Sequence, residues 1–122
     1  MVCISRFTSS NRSLPNYQVA WATKTIQEDQ RPYILDIGTG NGVLLDCLAE
    51  AGYDPSRMLG IDYSPGSIEL SSGVSKSRGW DEIRFEVADF VSGEPSRLDG
   101  MKEGEGWDLL WGYTNIMDQY RY

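Results

Sequence analysis

The chain of 122 residues contains no histidine. That absence excludes a Ser-His-Asp triad, a Cys-His nucleophile pair and any histidine-ligated metal. Only two cysteines occur, Cys3 and Cys47, too few for a disulfide framework or a four-thiolate zinc site. No metal site is therefore expected, and Cys47, set among apolar helix positions, reads as a small core residue. No apolar run approaches the roughly 18 residues that span a bilayer. The opening MVCISRFTSSNRSLPN lacks the apolar stretch of a secretory signal. Bases are scarce as well: 11 Lys and Arg stand against 18 Asp and Glu, for a formal net charge of −7. Such a balance disfavours broad contact with a phosphate backbone. Neither a nucleic-acid partner nor a membrane is expected, and the chain reads as cytoplasmic. What remains is a folded chain, 40% hydrophobic, of a size that suits one domain.

The first sixteen residues show no periodicity and read as a flexible N-terminal arm, with the folded domain over 17–122. Tyr17, Val19, Ala20, Ala22 and Ile26 could line a short helix that stops before Pro32. Tyr33 to Ile37 is an apolar strand of the kind covered on both faces. Leu44, Cys47, Leu48 and Ala51 repeat at i, i+3, i+4 and i+7, which predicts a helix with one buried face, ended by Gly52. Met58 to Ile61 is a second strand, closing on Asp62. Ser64-Pro65 reads as an N-cap with proline at the first helical position, and Gly79 closes that helix. Ile83, Phe85 and Val87 alternate inward along a third strand, and Trp107 to Trp111 forms a fourth. Strands alternating with helices in this order predict an α/β fold, a Rossmann-like doubly wound parallel sheet of about four strands.

Between the first of these strands and its helix lies Asp36-Ile37-Gly38-Thr39-Gly40-Asn41-Gly42. Glycines there permit a tight turn and a close ligand approach, although glycine clusters also make ordinary turns. No lysine follows them, so the loop is not a P-loop. Gly42 also comes one residue too early for the G-x-G-x-x-G dinucleotide fingerprint. Asp36 would repel a pyrophosphate and attract an ammonium or sulfonium centre. S-adenosyl-L-methionine carries both cations and no phosphate. Asp62 follows the last glycine at about the 20-residue spacing at which an acid reaches ribose hydroxyls; its other reading is a capping acid for the next helix. Asp89, at the end of the third strand, could accept an adenine amino group, with Tyr63 or Phe90 lining the ring. Its plainer reading is a turn acid.

Ile34 to Val43 and the run Leu59-Gly60-Ile61-Asp62-Tyr63-Ser64-Pro65 resemble class I, seven-strand methyltransferases that use S-adenosylmethionine. The wording D-I-G-T-G-N-G and G-I-D-Y-S-P is similar to the protein-lysine methyltransferases that act on translation elongation factor 1-alpha. The resemblance covers residues 33–111. It implies that Asp36, Gly38 and Gly40 contact the methionine part, Asp62 the ribose, and Asp89 with Phe90 the adenine; Thr39 and Tyr63 join them as candidate cofactor-binding residues. It also implies a lysine of elongation factor 1-alpha as the methyl acceptor.

Two departures accompany the resemblance. Where such enzymes carry D-K-G-T after the fourth strand, this chain has Gly112-Tyr113-Thr114, so no catalytic base is named. The strands that would follow are not found, so the chain reads as truncated after the fourth strand, holding the cofactor half of the sheet. The fourth strand would then present Trp107, Leu109, Leu110 and Trp111 at an open edge, a template for self-association, unless residues 113–122 fold back over it. Two other readings stand beside a methyltransferase: a non-catalytic cofactor-binding or dimerising module, and a nicotinamide-binding fragment.

Overall fold

A computed structural model describes residues 3–7, 15–89, 96–98, 100–101 and 106–113. In chain order the elements are β1 (Cys3–Phe7), α1 (Pro15–Thr25), β2 (Ile34–Ile37), α2 (Val43–Glu50), β3 (Met58–Asp62), α3 (Pro65–Ser77), β4 (Arg84–Val87) and β5 (Leu109–Tyr113). All five strands pair in parallel, in the order β1-β5-β2-β3-β4. The expected α/β sheet is present, with one strand more than the sequence indicates.

That extra strand corrects two expectations. Residues 3–7, assigned to a flexible arm over 1–16, form β1, and α1 begins at Pro15 inside the same stretch. β1 lies along β5, with Cys3 opposite Leu109 and Phe7 opposite Tyr113. The flank of the fourth predicted strand is therefore occupied rather than open, and the self-association expected there loses its template. The partner of this five-residue strand lies at the far end of the sequence, where no local pattern points. The fold-back expected of residues 113–122 falls, beyond Tyr113, outside the described residues.

With neighbours on both sides, β5 has the character of a strand buried on both faces: Leu109, Leu110 and Trp111 are all buried. Trp111 meets Trp21 of α1 edge to face, with ring centroids 5.5 Å apart. On that face of the sheet Ile34, Leu109 and Trp111 form one core with Ala22 of α1 and with Leu44, Leu45, Leu48 and Ala49 of α2. Burying each such leucine stabilises the fold by roughly 2 kcal/mol. On the opposite face Leu35, Ile37, Leu59, Ile61 and Leu110 pack with Tyr33 and Leu98, and with the partly buried Met101 and Trp107.

Helix α2 is rotated from its expected setting. Its inward positions are Leu44, Leu45, Asp46, Leu48 and Ala49, while Cys47 is only half-buried and Ala51 is exposed. Gly52 does follow the helix in a left-handed conformation (φ 105°). The third predicted strand also differs at its end. Ile83 is buried and Phe85 packs on the core, but Val87 is 53% exposed, because among the described strands β4 is the sheet edge and no described residue covers its last position.

Candidate functional site at the carboxyl ends of the strands

From β2 the chain winds outward through β3 to β4, then crosses back to place β5 on the other side of β2. In open parallel sheets, ligands bind outside the carboxyl ends of the strands at such a reversal. The loop that leaves β2 there is Gly38 to Gly42. Gly38, Gly40 and Gly42 all have left-handed φ values, 74°, 59° and 77°, which side chains larger than hydrogen resist.

The loop is held from below and from the side. The amides of Gly38 and Thr39 both donate to the Ile61 carbonyl, at 2.8 and 2.9 Å, and the Gly42 amide donates to the Thr39 carbonyl at 2.9 Å. The Gly40 amide donates to Asp62 Oδ2 at 3.1 Å, and the Val43 amide to Asn41 Oδ1 at 3.2 Å. These amides are thus committed to protein acceptors. They do not form the outward fan of N–H groups that grips phosphates.

Asp36 is buried, and its Oδ2 accepts the Thr39 hydroxyl at 2.9 Å. Gly60 of β3 and Trp111 of β5 are its register partners on either side. Asp62, half-buried, closes β3. Its second oxygen, Oδ1, accepts the Ser64 amide at 3.0 Å. Ser64 itself caps α3, its hydroxyl accepting the Ser67 amide at 3.3 Å. The cap thus belongs to Ser64, and each Asp62 oxygen keeps room for a further donor. Tyr63, 82% exposed, stands beside Asp62 with its ring free to meet a ligand. Asp89 is exposed just beyond β4, and Phe90 lies outside the described residues. Asp36, Gly38, Thr39, Gly40 and Asp62 are thus joined by direct contacts or chain continuity.

Sequence reading missed the support beneath this loop. Phe85 of β4 lies against two glycines at once. A Cβ on Gly60 would fall 2.7 Å from its ring and 2.8 Å from Thr39 Oγ1, and one on Gly42 would fall 3.0 Å from the ring. The available signal was Gly60 itself, since glycine inside a strand marks a close approach. Among the described residues there is no group of three or more Cys, Asp or Glu side chains placed to hold a metal ion. No described helix is long and apolar enough to cross a membrane.

A parallel sheet with a glycine loop at its switch point and acids closing successive strands is the arrangement of a methyltransferase domain. Residues 28–102 match the methyltransferase domain family, and the chain belongs to it. Its relatives include EEF1A lysine methyltransferase 2 of Homo sapiens, 48% identical over 59 residues, a match covering 48% of this chain and 24% of that protein. Protein-lysine N-methyltransferase EFM4 of Saccharomyces cerevisiae is 38% identical over 103 residues, covering 70% of this chain and 44% of that protein. The chain therefore spans less than half the length of these curated relatives. Among solved structures, WbdD superposes with a TM-score of 0.61 at 18% identity, over 95% of this chain and 27% of that one. Coclaurine N-methyltransferase, solved with N-methylheliamine and SAH, gives 0.56 at 18% identity, over 86% of this chain and 30% of that one. Likeness at that level shows the shared fold.

Proposed function

We propose that this chain carries the S-adenosyl-L-methionine site of a protein-lysine methyltransferase acting on translation elongation factor 1-alpha, in the cytoplasm. The observation that carries the reading is the pairing of Asp36 and Asp62 around a glycine loop in which the amides of Gly38, Thr39, Gly40 and Gly42 are already satisfied by the protein. Such a site attracts positive charge and accepts hydroxyl donors while offering little to a phosphate. It separates this cofactor from a nicotinamide dinucleotide. The identity to EEF1A lysine methyltransferase 2 supports the choice of acceptor protein, and the unpaired Cys47 thiol suits a reducing compartment.

The residues present fit the cofactor. Asp36, buried at the strand end, would hold an ammonium group through charge, with Thr39 fixing its carboxylate. Asp62 would accept ribose hydroxyls on its remaining lone pairs, and the exposed ring of Tyr63 would lie along the base, with Asp89, just beyond β4, as acceptor for its amino group. When bound, S-adenosyl-L-methionine supplies an electrophilic methyl group. The protein's contribution is alignment and exclusion of water, the terms that dominate when a neutral amine must meet a fixed electrophile. No side chain is assigned as a base.

Incubating the purified chain with methyl-labelled S-adenosyl-L-methionine and elongation factor 1-alpha tests this reading. Saturable binding and label on a lysine of the factor are the expected results. Failure to bind S-adenosyl-L-methionine while binding NAD would overturn it.

A further inference from the structure

Asp46 is the anomaly of the α2 seam. The helix VLLDCLAE turns leucines toward the sheet, yet Asp46 among them is fully buried. Its Oδ1 accepts the Ser75 hydroxyl of α3 at 2.5 Å. Its Oδ2 is buried with no hydrogen-bond partner among the described residues, and Arg78 Nη1 stands 3.9 Å away and is shared with Glu50. A half-satisfied carboxylate in such a place destabilises the fold relative to an apolar residue of similar volume. Burial accordingly pushes the Asp46 carboxyl up, with Glu50 adding to the rise and Ser75 and Arg78 opposing it. Stability alone does not account for an acid here.

Its position does. One turn before Asp46, α2 begins at the last residue of the glycine loop, and the Asp46 amide donates to the Gly42 carbonyl at 3.1 Å. There α2 and α3 come so close that a Cβ on Gly42 would lie 2.9 Å from Ser71 Cβ. One turn along both helices, Asp46 meets Ser75. Two contact points a turn apart fix the rotation of α2 about its axis. Rotation in turn sets the direction in which the loop leaves the helix, and only the second point is a directional bond.

We propose that Asp46 is a positioning residue for the glycine loop: its hydrogen bond to Ser75 locks α2 against α3 and so holds Gly38 to Gly42 in the geometry that receives the cofactor. The inference rests on the cofactor reading of that loop only for its functional meaning. The lock itself is a property of the chain without any ligand.

The experiment therefore reads both states. Asp46→Leu removes the lock and supplies apolar volume, while Asp46→Asn keeps an oxygen facing Ser75. In the chain alone, Asp46→Leu should unfold at the same or a higher temperature than the parent. Its Gly40 and Gly42 amides should nevertheless exchange about tenfold faster, and its dissociation constant for S-adenosyl-L-methionine should rise by about tenfold. Asp46→Asn should restore both towards the parent values. If Asp46→Leu does not fold, Ser75→Ala is measured in the same way. Loop exchange within about twofold of the parent, or faster exchange spread evenly over the whole sheet, overturns the proposal. Faster loop exchange in a chain whose parent form binds no S-adenosyl-L-methionine upholds the lock and refutes the cofactor reading.

Discussion

Asp62 at the end of β3 and Gly40 in the loop after β2 are joined by a hydrogen bond of 3.1 Å from the glycine amide to Oδ2. The acid expected to meet a ribose thus also shapes the loop beside it. Ligand contact and loop geometry share one carboxylate.

Removing that carboxylate should accordingly have two effects. Asp62→Ala loses a charged acceptor worth about 1.5–3 kcal/mol per bond, so calorimetry should show affinity for S-adenosyl-L-methionine falling by roughly 10- to 100-fold. Unchanged affinity would remove Asp62 from the site.

Ser64→Ala separates that role from helix capping. The Ser64 hydroxyl caps α3, whereas it is the Ser64 backbone amide that bonds Asp62. The variant should lose about 1 kcal/mol of stability in a denaturant titration and retain cofactor affinity to within about twofold.

Gly60→Ala tests the support under the loop. Its new methyl would press on the Phe85 ring and on Thr39 Oγ1 at under 3 Å, an overpacking that costs about 1–3 kcal/mol. Its melting temperature should fall, and the smaller side chain of the double variant with Phe85→Leu should recover part of the loss.

Tyr53 sets an alkaline limit. Its ring is 1% exposed, and its hydroxyl donates to the Ile26 carbonyl at 2.6 Å. Burial, with Glu28 adding, pushes its ionisation from 10.0 up to about 12. The folded state therefore holds this proton where the unfolded chain releases it. The associated stability is complete below pH 10 and declines as pH rises towards 12, by about 3 kcal/mol in all. Chemical denaturation across that window should show the decline, and Tyr53→Phe should flatten it.

Local features of this chain were legible in its sequence. Strand, glycine loop and helix follow one another from Ile34 to Glu50, and Asp62, Ser64 and Pro65 announce the end of β3 and the start of α3 within a few residues. Features that depend on distant partners were not. β1 holds strand-forming residues such as Ile4 and Phe7, but its partner β5 lies about a hundred residues away and no local pattern points to it. Val87 keeps the alternation of a buried strand while standing at an uncovered edge. The buried setting of Asp46 has no signal in the sequence, because the partner that meets it, Ser75, comes from another helix. Phe85 read simply as an inward strand residue, because the glycines it contacts come from two other segments.

The position of β5 between β1 and β2 has a consequence for how the molecule assembles. β2, α2, β3, α3 and β4 are consecutive in sequence and pair with their neighbours in turn. β1 is made first but has no partner until β5 arrives, and contacts between such distant segments form slowly. Asp62 and the glycine loop thus precede β5 in the chain, whereas the β5 flank of Asp36 and the pairing of β1 both wait for it. A truncation before Leu109 should leave residues 3–7 unpaired and strip both faces of the core of a buried strand.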